Sequence, residues 1–171
     1  SGSFTKGSSI VILNGTGAQT VALGSNAFNA LTITNASAGG VTFTDKLDTT
    51  TLTAQTNATK LYFVVSAGTI VHTVSGTLTI AGGEGSNMIT LAPYGVGTWY
   101  FTPPAATTVT GVDVSYSDSS VDINANSSND GGNNNAHWIF GAVSRYWVAS
   151  IAGNWSVKAN WSYTSGGTGG Y

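Results

Sequence analysis

Cysteine is absent from the 171 residues, and charge is nearly so. Without cysteine there is no disulfide framework of the kind that staples small secreted domains. Lys, Arg, Asp and Glu together make up 7% of the chain, against about 25% in ordinary globular proteins. A surface helix normally carries a charged face, and no window here supplies one. The formal net charge is −2. With no basic stripe to neutralise phosphates, nucleic acid is excluded as a partner. No basic amphipathic helix fits a membrane surface. No apolar run approaches the roughly 20 residues of a transmembrane helix, so no membrane insertion is expected. The chain opens on SGSFTKG, without Met and without a signal peptide, and is expected to be processed or cut from something longer.

Thr, Ser, Asn and Gly stand where charge and helix formers would be. Thr favours strands, whereas Gly, Asn and Ser favour turns. Low charge with this composition points to an extracellular bacterial or phage structural protein, at a cell or virion surface.

Short strand signals recur along the chain. They are SIVIL (9–13), QTVAL (19–23), ALTIT (30–34), VTFT (41–44), TLTA (51–54), KLYFVV (60–65), TIVHTV (69–74), TLTI (77–80), MITLA (88–92), TWYFT (98–102), TVTGVDVSYS (108–117), VDIN (121–124) and HWIF (137–140). Between them lie turn chemistries such as NGTG, NASAGG, AGGEGSN and NSSNDGGNNN. The phrase LTIT at 31 returns as TLTA at 51, TLTI at 77 and ITLA at 89. Short strands, Asn/Gly-rich corners and weak self-similarity predict an all-β chain with a parallel β-helix or solenoid-like body. The alternative is a β-sandwich, which would more often show two-residue turns between longer strands; only NG at 14–15 fits that clearly. Alternation as in Leu31/Ile33, Leu78/Ile80 and Val112/Val114 puts one face inside and the Thr face out. The expected parts are an opening strand pair over 1–25, a solenoid body over 26–141 and an aromatic, Gly-rich tail over 142–171.

That tail reads YWV (146–148), GNWS (153–156), NWS (160–162) and SGGTGG (165–170), preceded by FNALTIT, VDVSYSDSS and WIFG. This grammar resembles repeat modules of large bacterial surface or adhesin-like proteins and of phage tail-fibre-like proteins. The resemblance implies β-helical, fibre-like extracellular modules. It departs at one point: where the phrase carries Gly-Gly after YWV, this chain has Ala149 and Ser150.

No constellation specifies chemistry. His72 and His137 sit in strand-like runs, with no cysteine to join either in a metal site, and read as structural. There is no G-x-S-x-G elbow. Asp118, Asp122 and Asp130 are weak calcium candidates, since hard oxygen ligands suit that ion; the plainer reading is a solvated Asn/Asp turn. A glycan-active enzyme built on the Asp113–Asp130 region ranks last, because five Lys and Arg over the whole chain leave nothing to hold a uronate. The chain is read as a non-enzyme with no cofactor. Sequons at Asn14, Asn35, Asn57, Asn154 and Asn160 are what chance supplies in such a composition.

Of the tryptophans, Trp138 and Trp147 are expected to pack into the body, and Trp155 and Trp161 onto it or onto a neighbour. A β-helix has open edges at both ends, and the sequence offers no capping helix and almost no edge charge. The expectation is therefore a fibre subunit that associates head to tail with copies of itself. Ile10, Val11, Ile12 and Leu13 would serve one end, and Trp147, Trp155, Trp161 and Tyr171 the other. The alternative is a module that binds a cell-surface glycan through exposed aromatics.

Overall fold

The computed structural model describes residues 6–65, 70–105, 107–141, 146–149, 153–162, 165–167 and 169. Tyr171 lies outside them, as does Thr69 at the start of TIVHTV. Strands come in chain order as β1 (Ile10–Leu13), β2 (Gln19–Val21), β3 (Phe28–Ile33), β4 (Val41–Phe43), β5 (Asp48–Ala54) and β6 (Lys60–Val64). They continue as β7 (Val71–Ile80), β8 (Ile89–Tyr94), β9 (Trp99–Thr102), β10 (Thr107–Thr110), β11 (Val112–Val114) and β12 (Ser117–Ser119). The last are β13 (Ile123–Asn126), β14 (Asn129–Asp130), β15 (Trp138–Phe140), β16 (Tyr146–Trp147) and β17 (Trp161–Ser162).

The chain is all-β, and its sheets are parallel. One sheet runs β1-β3-β5-β7-β9-β12, a second β2-β4-β6-β8-β11-β14 and a third β10-β13-β15. Among the described residues, only β16 and β17 pair antiparallel. Successive strands alternate between the first two sheets as far as β9, so chain neighbours do not pair with each other; a hairpin-built sandwich would pair them antiparallel. Among the described residues, none of the sheets closes on itself.

The recurring phrase is the register itself. Leu31 stands beside Leu52 and Leu52 beside Leu78, with Thr32, Thr53 and Thr79 alongside. Its fourth occurrence belongs to the second sheet, where Leu91 faces Leu61. An isolated parallel bridge from Ala81 to Thr110 sets the end of β7 beside β10. One column of strands thus continues β1-β3-β5-β7-β10-β13-β15. The repeat along it is 20 residues between Ile10 and Ala30, lengthens to 26 between Leu52 and Leu78, and is shortest at the end, 15 between Ala125 and Phe140.

Two expected strand boundaries differ. VHTV (71–74) and TLTI (77–80) belong to the single strand β7, whose pairing with β5 shifts register between Thr49 and Thr51. TVTGVDVSYS breaks into β10, β11 and β12. The first break falls at Gly111, whose φ of 60° suits glycine. A Cβ there would also collide with the Gly82 carbonyl oxygen.

Inward side chains from all three sheets form one core, including Leu31, Ile33, Phe43, Phe63, Trp99, Val112, Ile123 and Trp138. Phe43 and Phe63 are register partners in the second sheet, stacked with centroids 5.5 Å apart. Trp99 crosses from the first sheet to stack on Phe63 at 4.2 Å, which ties the two sheets together.

His72 sits fully buried in this core, edge-on to Phe63. The Leu47 N–H donates to its Nδ1 at 3.1 Å, and its Nε2 lies 3.1 Å from the Val64 carbonyl. A carbonyl only accepts, so the proton sits on Nε2 and the ring is neutral. Burial lowers its pKa from 6.5; the Val64 bond and the Asp45 charge oppose that shift. Protonating Nδ1 would also set two donors against each other at Leu47. The folded state therefore resists a proton that the unfolded chain accepts. Stability is expected to be full above about pH 6.5 and to fall below it. The slope is about 1.4 kcal/mol per pH unit until the folded pKa is reached. Urea midpoints at pH 8 and pH 5 measure it, and His72→Asn should flatten the slope.

Candidate functional site

The features that set this chain apart are its strand edges and an aromatic patch. In β1, Val11 and Leu13 pack against the core, while Ile10 and Ile12 are 63% and 57% exposed. The Ala30 N–H donates to Ser9 O at 3.3 Å and the Thr34 N–H to Leu13 O at 2.9 Å. Backbone direction alternates along a parallel strand, so Ser9, Val11 and Leu13 bond towards β3. The N–H and C=O groups of Ile10 and Ile12 therefore point outward, and β1 is an outermost strand of its sheet among the described residues.

The opposite edge of that sheet is finished differently. On β12, the outward Ser117 N–H donates to Asn134 Oδ1 at 2.9 Å and Ser117 O accepts the Asn135 N–H at 3.0 Å. The Ser119 N–H donates to Asn135 Oδ1 at 3.2 Å, and Ser119 O accepts from Asn135 Nδ2 at 2.8 Å. Two asparagines thus imitate the next strand. The sequence offers no capping helix and almost no edge charge, and this edge carries instead a cap made of side-chain amides. NSSNDGGNNN reads as a turn, yet it supplies both β14 and the cap. The clue lay in the short late repeat, which places Asn129 beside Asp113 and Phe140 beside Ala125.

The acidic candidates go to separate partners. Asp118 accepts from Asn135 Nδ2. Asp130 Oδ1 accepts the Gly132 N–H at 2.9 Å and Asn134 Nδ2 at 2.7 Å. Asp122 Oδ1 lies 2.6 Å from His137 Nδ1 in an exposed pair. Among the described residues, no three His, Asp or Glu side chains gather into a group that would hold a metal.

The tail tryptophans pack on one another. Trp147 and Trp161 are directly opposite in the β16–β17 pair, with ring planes at 87° and centroids 5.2 Å apart. Trp155 lies 5.2 Å from Trp147 and 4.9 Å from Trp161. Its carbonyl accepts the Trp161 indole N–H at 2.9 Å. Trp138 is buried in the body core as expected, but Trp147 joins this separate cluster instead. Trp155 remains 74% exposed, so the cluster presents an aromatic surface. No known protein family, curated protein or solved structure matches the chain.

Proposed function

We propose that the alternating sheets are faces of a parallel β-helix and that the chain is a structural, extracellular module that associates head to tail into a fibre. The observation that carries this reading is the β1 edge. It is apolar, uncharged and unpaired among the described residues. Natural β proteins suppress such edges with charge, Pro or a cover because they template pairing with another chain. A heterologous contact that does not close on itself propagates into a filament. Low charge reduces repulsion between neighbours. The strand alternation and the shared column from β1 to β15 support the helical reading.

The exposed Trp155 surface favours a second reading, a glycan-binding module of an adhesin or tail fibre, since indole faces stack on sugar rings. Negative-stain electron microscopy of the purified chain across a dilution series tests the first reading. Filaments with a regular axial repeat are expected. Discrete particles at every concentration would overturn self-assembly and leave sugar-dependent tryptophan fluorescence as the measurement that decides the second.

A further inference from the structure

We propose that, given the self-association reading above, the joint is β15 of one copy laid parallel on β1 of the next. Trp138 would lie beside Val11, Ile139 beside Ile12 and Phe140 beside Leu13. The occupant of the β1 edge is thus a second copy, and the contacting element is the body strand rather than the aromatic tail.

The column of strands carries the argument. β1 and β15 are its first and last members among the described residues, linked through the registers of β3, β5 and β7, the Ala81–Thr110 bridge, and β10 and β13. Adding a copy continues a register already repeated along the column. The backbone parity is also right. The Ile123 N–H donates to His137 O at 2.8 Å, so His137 and Ile139 bond towards β13 and the groups of Trp138 and Phe140 point outward. The Trp138 N–H is taken by Asn135 O at 3.2 Å. The Trp138 carbonyl would then accept the Ile12 N–H, and the Phe140 N–H would donate to the Ile12 carbonyl. Side chains agree as well. Trp138 belongs to the core cluster, and Phe140, Val11 and Leu13 are partly buried and pack against it. Ile139 and Ile12 both face outward, at 42% and 57% exposure. Neither strand carries a charge that the joint would have to desolvate.

The alternative contact on the same end is shut. The outward groups of β12 are already bonded by Asn134 and Asn135, so strand addition there would have to displace the amide cap first.

The chain has no cysteine, which makes disulfide trapping unambiguous. Neighbouring parallel strands lie about 4.8 Å apart, inside the roughly 4.4–6.8 Å span that a disulfide bridges. The double variant Ile12→Cys/Ile139→Cys, oxidised under conditions where the wild type forms filaments, should give a ladder of covalent dimers and higher multimers on a non-reducing gel. Ile12→Cys/Asp118→Cys should not. Both isoleucines are exposed, and circular dichroism checks that each variant is folded. A ladder from the Asp118 pair alone would overturn this joint while leaving self-association intact. So would a dimer from Ile12→Cys by itself, which reports β1 pairing with β1. A wild type that never assembles would remove the self-association reading and this joint with it.

Discussion

Trp99→Ala should lower the unfolding free energy by about 3–5 kcal/mol, the range for truncating a buried aromatic. Domains of this size are stable by about 5–15 kcal/mol, so the loss is a large part of the whole. The side chain is 1% exposed. It stacks on Phe63 at 4.2 Å with planes 12° apart and touches Phe101 and His72. Its indole N–H donates to Ser115 O at 2.9 Å. Truncation leaves a cavity where the first sheet meets the second, and also orphans a carbonyl. Trp99→Phe retains a ring against Phe63 and should cost clearly less. Urea midpoints read both, with the m-value serving as a check on two-state behaviour. A shift below about 1 kcal/mol for the alanine variant would mean that the cross-sheet stack is not the bond between the sheets.

Ile10→Lys/Ile12→Lys should abolish filament formation while changing monomer stability by no more than about 0.5 kcal/mol per site. Both side chains are more than half exposed, so neither substitution buries a charge in the monomer. In an assembled joint the two ammonium groups would lie on the pairing edge, where lysine is a common natural deterrent to strand addition. Sedimentation velocity, read beside electron microscopy, gives the outcome directly. Filaments that persist at wild-type concentrations would show that β1 is not in the joint.

The sequence made the strands legible because their hydrophobic alternation is local. SIVIL, VTFT and TWYFT each contain an observed strand, and the weak self-similarity of LTIT, TLTA and TLTI corresponds to strands that lie side by side, with Leu31, Leu52 and Leu78 in register. What stayed hidden depends on contacts distant in sequence. Nothing near Trp147 says that its ring meets Trp155 and Trp161 rather than the body. Nothing near Asn135 says that its amide completes β12, because that role exists only once Ser119 is brought alongside. Composition argued for turns at NSSNDGGNNN, and an asparagine that closes a turn looks the same in sequence as one that imitates a strand. His72 lies in a strand-like run that says nothing of its burial, which depends on β6 and the Leu47 corner on either side of it.

The amide cap also gives the molecule a chemical lifetime. Asparagine side chains hydrolyse slowly to carboxylates, and a carboxylate cannot donate. At Asn135, Oδ1 would still accept from Ser119, but the Nδ2 donor to Ser119 O and to Asp118 would be gone. Two negative charges would then face each other at the end of the first sheet. Ageing at this single side chain would free one of the four β12 groups that the two asparagines hold, the Ser119 carbonyl, and leave the other three bonded.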